Sequence, residues 1–297
     1  MSHQPIIRAF FDQATNSVSY LLVDPATGTA AVIDPVLDFD AATGTVTTSA
    51  AQAIADVADQ NGWRIAMVLE THAHADHLSA APYFKVKTGA WVGIGEHIRA
   101  VQAIFKPVFA FEDGAADDVE FDRLFSDGDH IALGELTIKI IHTPGHTPAD
   151  VAYIIGENAF IGDTLFMPDY GTARADFPGG DARTLYGSIR RILSLPDATR
   201  LFLCHDYKAP GRDHHHWETS VAEQKSANIH VHDGIGADAF VAMRNARDAT
   251  LAAPRLLLSS IQVNIRAGQF PPPLPNGARF LRTPVKFGPD GQYADMV

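Results

Sequence analysis

Short apolar runs bounded by turn residues dominate the first third of the chain. Residues 6–11, 17–24 and 29–35 are rich in β-branched and aromatic side chains, which predicts three strands joined as hairpins. Residues 49–61 instead carry apolar side chains at helical spacing and precede Gly62, which predicts a helix that ends there. The change from strand-like to helix-like periodicity is typical of a layered α/β domain.

The same alternation continues along the rest of the chain. Two further helical stretches, at 217–228 and 236–251, precede a Pro-rich segment at 271–277. We expect that segment to be an irregular wrap on the body of the protein or on a second subunit. The predicted strands cover 65–71, 91–95, 135–143, 150–156, 159–164 and 200–207, and the predicted helices cover 78–88, 96–105 and 181–194.

The composition is that of an ordinary globular protein. The 297 residues are enough for one large domain with an appendage or for two ordinary domains. Hydrophobic residues make up 46% and charged residues 20%, and the apolar runs are short, which excludes a disordered chain and a membrane-spanning helix. The N-terminal residues do not have the pattern of a secretory signal, so we expect a cytoplasmic protein.

Charge and cysteine content restrict the function further. The net charge of −12 disfavours binding to nucleic acid and to anionic membranes, so neither partner is expected. The single cysteine, Cys204, cannot form an intrachain disulfide and lies in an apolar run, where we expect a buried strand residue. The acidic segment at 112–129 is expected to be a solvated loop with a short strand.

Four potential metal ligands follow directly after the strand predicted at 65–71. His72 and His74 lie on one side of the chain if the strand geometry persists. A turn after them would bring Asp76 and His77 to a neighbouring position. Imidazole beside a carboxylate suits zinc, iron, copper or nickel, so this spacing predicts a metal site rather than a polar surface loop.

Three more predicted strands are each followed by a ligand-type side chain, namely His146, Asp163 and His205. Taken singly, Asp163 could cap a helix and His205 could be a hydrogen-bonded core histidine. The histidine run at 214–216 is expected to lie in a solvated loop. Together, the repeated pattern predicts that the ligands converge on one sheet edge, since residues from distant strands meet only there. The strand ends that carry them are expected at Glu70, Ile141, Ile161 and Leu203.

The motifs together resemble the metallo-β-lactamase superfamily, whose fold is an αββα sandwich with the metal site at one edge of its two sheets. Within it, the sequence is most similar to the persulfide dioxygenases, iron enzymes that oxidise glutathione persulfide to sulfite, and specifically to a bacterial type with a longer C-terminal region. The segments that carry the resemblance are HAHADH at 72–77, TPGHT at 143–147, GDT at 162–164, TARADF at 172–177 and CHDY at 204–207.

This resemblance implies roles for individual residues. The iron ligands of the dioxygenases correspond to His72, His146 and Asp163, a face that leaves about three positions of Fe(II) free for a persulfide and O2. The glutathione-binding residues correspond to Arg174 and Tyr207. The other motif residues would surround the iron and hold its ligands and water in place. They are His74, Asp76, His77 and His205.

Alternatives remain open at this point. The related glyoxalase II thioesterases share the metal-region residues and use two metal ions, such as Zn(II), to hydrolyse acylated glutathione. A non-catalytic member of the fold that binds a metal or a thiol is a second alternative. Arg174 could instead form an ion pair with Asp176 or Asp181, and Tyr207 could be a core residue.

The resemblance also implies a domain division. It places a catalytic domain at 1–210 and a C-terminal helical extension and tail at 211–297, packed on the same domain in a homo-oligomer. Two segments depart from the mitochondrial members: an insert at 35–50 and the region from about 208 onwards. We expect the insert to shape the pocket rim or a subunit contact. The second departure leaves the identity of the thiol open.

Overall fold

The computed structural model describes residues 4–111 and 121–285, whose strands form two six-stranded sheets and one small sheet. The strand order of the first sheet is β1 (Ile6–Asp12), β2 (Ser17–Val23), β3 (Thr29–Ile33), β6 (Arg64–Leu69), β8 (Trp91–Gly95) and β9 (Arg123–Phe125). The order of the second is β10 (His130–Leu133), β11 (Leu136–His142), β12 (Val151–Ile155), β13 (Asn158–Phe160), β14 (Arg200–Phe202) and β15 (Glu218–Ser220). The small sheet has the order β5 (Thr45–Thr47), β4 (Val36–Asp40) and β7 (Leu78–Ser79).

Helices connect and cover these sheets. Side-chain caps start two of them: Asp181 accepts a hydrogen bond from the backbone N–H of Thr184, and Ser220 forms a capping box with Glu223. The helices are α1 (Ser49–Gln60), α2 (Ala81–Thr88), α3 (Ile98–Val108), α4 (Ala182–Ile192), α5 (Val221–Ala227), α6 (Ala237–Asp248) and α7 (Leu257–Asn264).

Alternation along the strands divides the core into three layers. On β2, Leu21 packs in the layer that also contains side chains of α1, α2 and α3, whereas its neighbour Leu22 packs between the two large sheets. The opposite face of the second sheet packs against α4 and α6 through residues such as Leu185 and Phe240. The architecture is therefore the expected αββα sandwich, because each sheet has one face toward the other sheet and one toward helices.

The strand ends expected at Glu70, Ile141, Ile161 and Leu203 agree with the structure to within one residue, although the strands predicted at 159–164 and 200–207 are shorter in the structure. The strands that precede the candidate ligands end at Leu69, His142, Phe160 and Phe202. Cys204 is buried, as expected, two residues beyond the end of β14. Within the described residues, no helix combines the length and the apolar character needed to span a bilayer.

Some elements differ from the sequence prediction. The stretch expected to be helical from residue 217 begins as strand β15, because its backbone pairs antiparallel with the edge strand β14. Helix α2 begins only at Ala81, because Leu78 and Ser79 pair with β4. Helix α7 has no predicted counterpart. The insert at 35–50 forms β4 and β5.

Of the two predicted irregular segments, the acidic one at 112–129 is only partly described and the one at 271–277 is described in full. The acidic segment contains the short strand β9, and its residues 112–120 lie outside the described residues. The segment at 271–277 has neither helix nor strand.

A buried ion pair ties α6 to the segment before α4. Arg244 is almost fully buried, contacts Asp248 through Nη2 at 2.7 Å and donates from Nη1 to the carbonyl of Thr172. Asp248 also accepts a hydrogen bond from the backbone N–H of Ala175. This pair therefore fixes the backbone at 172–175.

We expect Arg244→Ala to lower the free energy of unfolding by about 3–5 kcal/mol, because it leaves the Asp248 carboxylate buried without its cation. Urea denaturation followed by circular dichroism measures the change. Arg183→Ala, which breaks the exposed pair with Asp238, is the control and should change stability only slightly. Equal losses in the two variants would contradict the importance of the buried pair.

Candidate metal centre

The candidate ligands lie in four loops at one edge of the two large sheets. The loop between β6 and β7 carries the histidine-rich segment, and single ligands follow β11, β13 and β14. Glycines allow two of these loops to pack closely. At Gly145, with a φ of +138°, a Cβ would lie 2.3 Å from the backbone of Leu185 in α4. At Gly162, with a φ of +50°, it would lie 2.8 Å from the hydroxyl of Thr71.

Three of the predicted ligands face one another. The ligand atoms of His72, His146 and Asp163 all lie within 4.8 Å of one another. The Nε2 atoms of His146 and His72 lie 3.6 Å and 4.0 Å from Oδ2 of Asp163. All three side chains are buried. The predicted approach of His72 to His146 is therefore present in the structure.

The other predicted residues form a second group beside this face. Ligand atoms of His74, Asp76 and His77 lie within 4.8 Å of one another. The Nε2 atom of His205 lies 3.4 Å from a carboxylate oxygen of Asp76 and 3.4 Å from one of Asp163. Asp163 thus lies between the two groups, and the arrangement has donors for one ion or for two.

Hydrogen bonds on the far side of the rings fix their orientation. The Nδ1 atoms of His146, His205 and His77 lie 2.8 Å, 3.2 Å and 3.1 Å from the backbone carbonyls of Arg174, Asn16 and Leu78. Such contacts hold the proton on Nδ1 and leave Nε2 free to bind a metal.

The atoms that face the centre have no other partner. Several buried nitrogen and oxygen atoms in the described residues have no hydrogen bond, which is costly for polar atoms removed from water. A bound cation would satisfy them, so the residues fit a metal ion. These atoms are Nε2 of His72, His77 and His205, Nδ1 of His74 and Oδ1 of Asp163.

Burial sets the protonation of these rings. Burial, with the neighbouring His74 and His146, lowers the pKa of His72 well below its usual range. Burial also lowers the pKa of His77 to about 4. Both imidazoles are therefore neutral at pH 7, which is the form that binds a metal. Burial alone would lower the pKa of His74 too, but the Asp34 carboxylate raises it to about 10.

Asp34 is a functional residue that the sequence analysis missed. It accepts hydrogen bonds from the backbone N–H and the hydroxyl of Thr71, at 2.7 Å and 2.8 Å, and lies 3.1 Å from Nε2 of His74. Although burial disfavours its charge, His74 and Thr71 lower the pKa of Asp34 overall. The sequence feature that identified the candidate ligands was present here too, since Asp34 also follows directly after an apolar strand. The Thr71 hydroxyl in turn lies 3.0 Å from Nδ1 of His72.

Two further buried carboxyl groups lie next to the ligands. Burial and the Asp34 charge raise the pKa of Glu70 to about 8, so Glu70 is mostly protonated at pH 7 and accepts a hydrogen bond from Ser79. Burial raises the pKa of Asp150, whose Oδ1 lies 3.8 Å from Nδ1 of His72. Both residues stand at or next to a strand end, as the ligands do.

A cavity of about 310 Å³ opens onto the ligands and is lined by both predicted substrate residues, Arg174 and Tyr207. Arg174 forms a two-pronged ion pair with Asp176 at 2.5 Å and 2.7 Å, the pairing considered above as its alternative role. The ring of Tyr207 stacks on that of His205, with centroids 5.5 Å apart. Both residues are thus beside the centre, and their role with a substrate stays a prediction.

The histidine run at 214–216 is not part of this centre. His214 pairs with Asp213 on the surface, and the ring of His215 packs on Phe11. The backbone N–H of His216 donates to Asp206. The segment is a partly exposed loop, as the sequence predicted.

The model of the metallo-beta-lactamase superfamily matches residues 13–205 of the chain. The chain belongs to this superfamily. The matched range contains all the candidate ligands, and α5, α6 and α7 lie beyond it. A metal site at this edge of the sheets is supported by superfamily membership, by the ligand geometry and by the buried atoms without partners.

Individual relatives differ in the activity that their names state. A probable metallo-hydrolase of Burkholderia pseudomallei is 53% identical over 94% of the chain and 98% of its own length. Glyoxylase B2 of Dictyostelium discoideum is 41% identical over 97% of the chain and 99% of its length. The mitochondrial persulfide dioxygenase of Bos taurus is 28% identical over 90% of the chain and 91% of its length.

Solved structures of this superfamily confirm the fold. The crystal structure of the ETHE1 protein of Myxococcus xanthus has a TM-score of 0.71 and 29% identity, and the match covers 89% of this chain and 100% of that one. The expected family, with both dioxygenase and glyoxalase relatives, is therefore confirmed. The names of the relatives do not separate the two activities.

Because Asp163 faces ligands of both groups, replacing its carboxylate should release the metal. We expect Asp163→Asn to retain less than about a tenth of the metal of the wild type after dialysis, because outer contacts alone hold an ion weakly. Elemental analysis of the dialysed proteins measures this. Asp127→Asn, a surface change at the pair with Arg191, is the control and should keep full metal content. Full retention by Asp163→Asn would contradict a ligand role for Asp163.

Proposed function

We propose that the chain is a non-haem iron dioxygenase that oxidises glutathione persulfide with O2 and water to sulfite and glutathione. The observation that carries this proposal is the face of two histidines and one carboxylate, His72, His146 and Asp163, next to a cavity that opens onto it. Such a face is typical of non-haem iron oxygenases, because it leaves coordination positions free for substrate and dioxygen. The similarity to the bovine persulfide dioxygenase supports it.

The iron would be held by these three residues, one ion per chain. Bound Fe(II) would supply the redox chemistry that dioxygen needs, which zinc lacks. Around it, His205 and Asp76 would adjoin Asp163, with Nε2 of His205 3.4 Å from a carboxylate oxygen of each aspartate. Their task in this proposal is to keep the ligand face in place.

Aromatic side chains form the wall of the cavity beside Asp163. Phe166, Tyr170 and Tyr207 all line it, and their ring centroids lie 5.3 to 5.8 Å apart. An apolar wall of this kind excludes water from the reacting sulfur and strengthens the electrostatic contacts inside the cavity.

The charge of the cavity suits an anionic thiol. Arg174, Arg247 and Arg255 line it, although the whole chain has a net charge of −12. Asp176 neutralises Arg174, whereas no carboxylate in the described part of the chain lies within ion-pair distance of Arg247 or Arg255. Glutathione persulfide carries two carboxylates, and arginine binds carboxylates through paired hydrogen bonds.

A specific observation favours a second candidate, hydrolysis of glutathione thioesters by a dinuclear centre. His74, Asp76 and His77 form a second group of ligand atoms, and His205 lies between that group and Asp163. With two zinc ions bound, these residues would hold a water molecule against a thioester carbonyl. The 41% identity to Glyoxylase B2 supports this candidate.

Oxygen consumption separates the two activities. Protein loaded anaerobically with Fe(II) should consume O2 when glutathione persulfide is added and should release sulfite. The same protein should hydrolyse an acylglutathione poorly. The absence of O2 uptake together with rapid anaerobic hydrolysis of the thioester would establish the hydrolase instead.

The His205→Ala variant gives an independent control in the same assay. For a single iron at the His72 face, this change should lower activity about 10–100-fold, because it removes a surrounding contact and not a ligand. For a dinuclear centre it would remove a ligand of the second ion, and the loss should approach that of Asp163→Asn.

The arginines can be ranked by kinetics with glutathione persulfide. We expect Arg174→Ala to raise KM much more than it lowers kcat, the result of losing a contact made equally to substrate and transition state. Arg247→Ala and Arg255→Ala should each raise KM about tenfold, as expected for the loss of a charged hydrogen bond. An unchanged KM in Arg174→Ala would assign this residue to its ion pair with Asp176 alone.

A further inference from the structure

Helix α7 lies beyond the range matched by the superfamily model, yet its last residue contacts the metal-ligand loop. That residue is Asn264, and its side chain is buried. It is separated from the histidine-rich segment by more than 180 residues of sequence. The contact therefore belongs to the C-terminal part of this chain and not to the ligand motif.

The amide of Asn264 makes three hydrogen bonds to this loop. Its Nδ2 donates to the carbonyl of His74 at 2.8 Å and to the carbonyl of His77 at 2.7 Å. Its Oδ1 accepts from the backbone N–H of Ser79 at 2.9 Å. A primary amide has two N–H donors and one carbonyl acceptor, so it satisfies all three backbone groups at once.

These bonds hold the segment that carries the second group of ligands. The carbonyls of His74 and His77 mark its two ends, with Asp76 between them. Both residues lie in a loop without strand pairing, so their buried carbonyls depend on a side chain for a donor. The Asn264 side chain thus fixes the distance between the two ends of the segment.

The end of α7 is itself held firmly against this part of the fold. The side chain of Gln102 in α3 donates to the carbonyl of Ile265 at 2.8 Å. Gly268 follows with a φ of +81°, and a Cβ there would lie 2.5 Å from Pro82 and 2.8 Å from the carbonyl of Ser79. Asn264 is therefore presented to the loop by a turn whose position is set by close packing.

We infer that Asn264 is a positioning residue of the metal centre, through which α7 sets the geometry of the His74–His77 segment and the affinity for the metal. The inference rests on the proposed metal site, and it holds for an iron or a zinc centre alike. It assigns to the C-terminal region a role in metal binding as well as in the substrate cavity.

The test compares two buried amides of the same helix. Asn264→Ala removes all three bonds to the loop. Gln262→Ala is the matched control, since the buried Gln262 side chain bonds to the carbonyls of Leu258 and Arg282 and to the N–H of Arg282, and makes none of these contacts to the loop. Zn²⁺ affinity is measured for each protein by competition with a chromophoric chelator, and the thermal midpoint is measured without metal.

We expect Asn264→Ala to weaken Zn²⁺ binding about 10–100-fold, the range found when a residue that supports metal ligands is lost. Gln262→Ala should lower the thermal midpoint and leave the affinity within about twofold of the wild type. The absorption spectrum of the Co²⁺-substituted protein should change in Asn264→Ala and not in Gln262→Ala. Equal affinity changes in the two variants would overturn the inference.

A conservative variant and a wild-type measurement remain informative if Asn264→Ala does not fold. Asn264→Asp keeps the acceptor for Ser79 and loses both donors, so it should show the same loss of affinity. In the wild-type protein, Zn²⁺ should slow amide exchange of residues 257–264 and leave α6 unchanged, because coupling between two sites is reciprocal. No slowing in α7 would overturn the inference, whereas a wild type that binds no metal would overturn the proposed function first.

Discussion

The structure depends on one constraint, which is that the ionised Asp34 carboxylate must be compensated inside the protein. Asp34 is almost fully buried, and its φ of +48° places it in a backbone conformation that costs an ordinary residue about 1 kcal/mol or more. Thr71 and His74 supply the compensation. Because a buried charge without partners is far more costly than this strain, the loop after β6 is held in one position.

The influence of the Asp34 carboxylate on side-chain orientation extends to both groups of ligands. Through the Thr71 hydroxyl it reaches Nδ1 of His72, and by direct contact it reaches Nε2 of His74. On the opposite side of these rings, Nε2 of His72 and Nδ1 of His74 have no hydrogen-bond partner. One carboxylate thereby orients a ring in each group. The unsatisfied buried atoms lower the stability of the fold, and the packing of the three core layers offsets that loss.

The same set of side chains can serve two chemistries. A face of two histidines and a carboxylate supports redox chemistry at one ion, and the adjoining group supports hydrolysis at two. Asp163 belongs to both possibilities because it lies between the groups. In the proposed function the cavity would add a second level of selection, because its arginines would favour an anionic thiol and its aromatic wall would exclude water. Residues beyond the superfamily match contribute to this cavity and, through Asn264, to the ligand loop.

The sequence by itself determined the layered α/β class and placed the candidate ligands at one sheet edge, whereas the αββα order and the roles of individual ligands came from the resemblance to the superfamily. Alternating apolar positions divide each strand between two layers, and a ligand-type residue directly after a strand must lie at the sheet edge, so His72, His146, Asp163 and His205 could be placed without a structure. Asp34 had the same signal and could have been found.

Only the tertiary structure decided which side chains support those ligands. Asn264 contacts the loop at 74–77, and Arg244 contacts Thr172. Both contacts arise because helices near the C-terminal end of the sequence lie over loops that precede them in the sequence. Residues 218–220, predicted as part of a helix, form a strand because the backbone of β14 offers a free edge for pairing. Such contacts join residues distant in sequence through packing. Local periodicity cannot specify them, because it records only which face of an element is buried and not what covers that face.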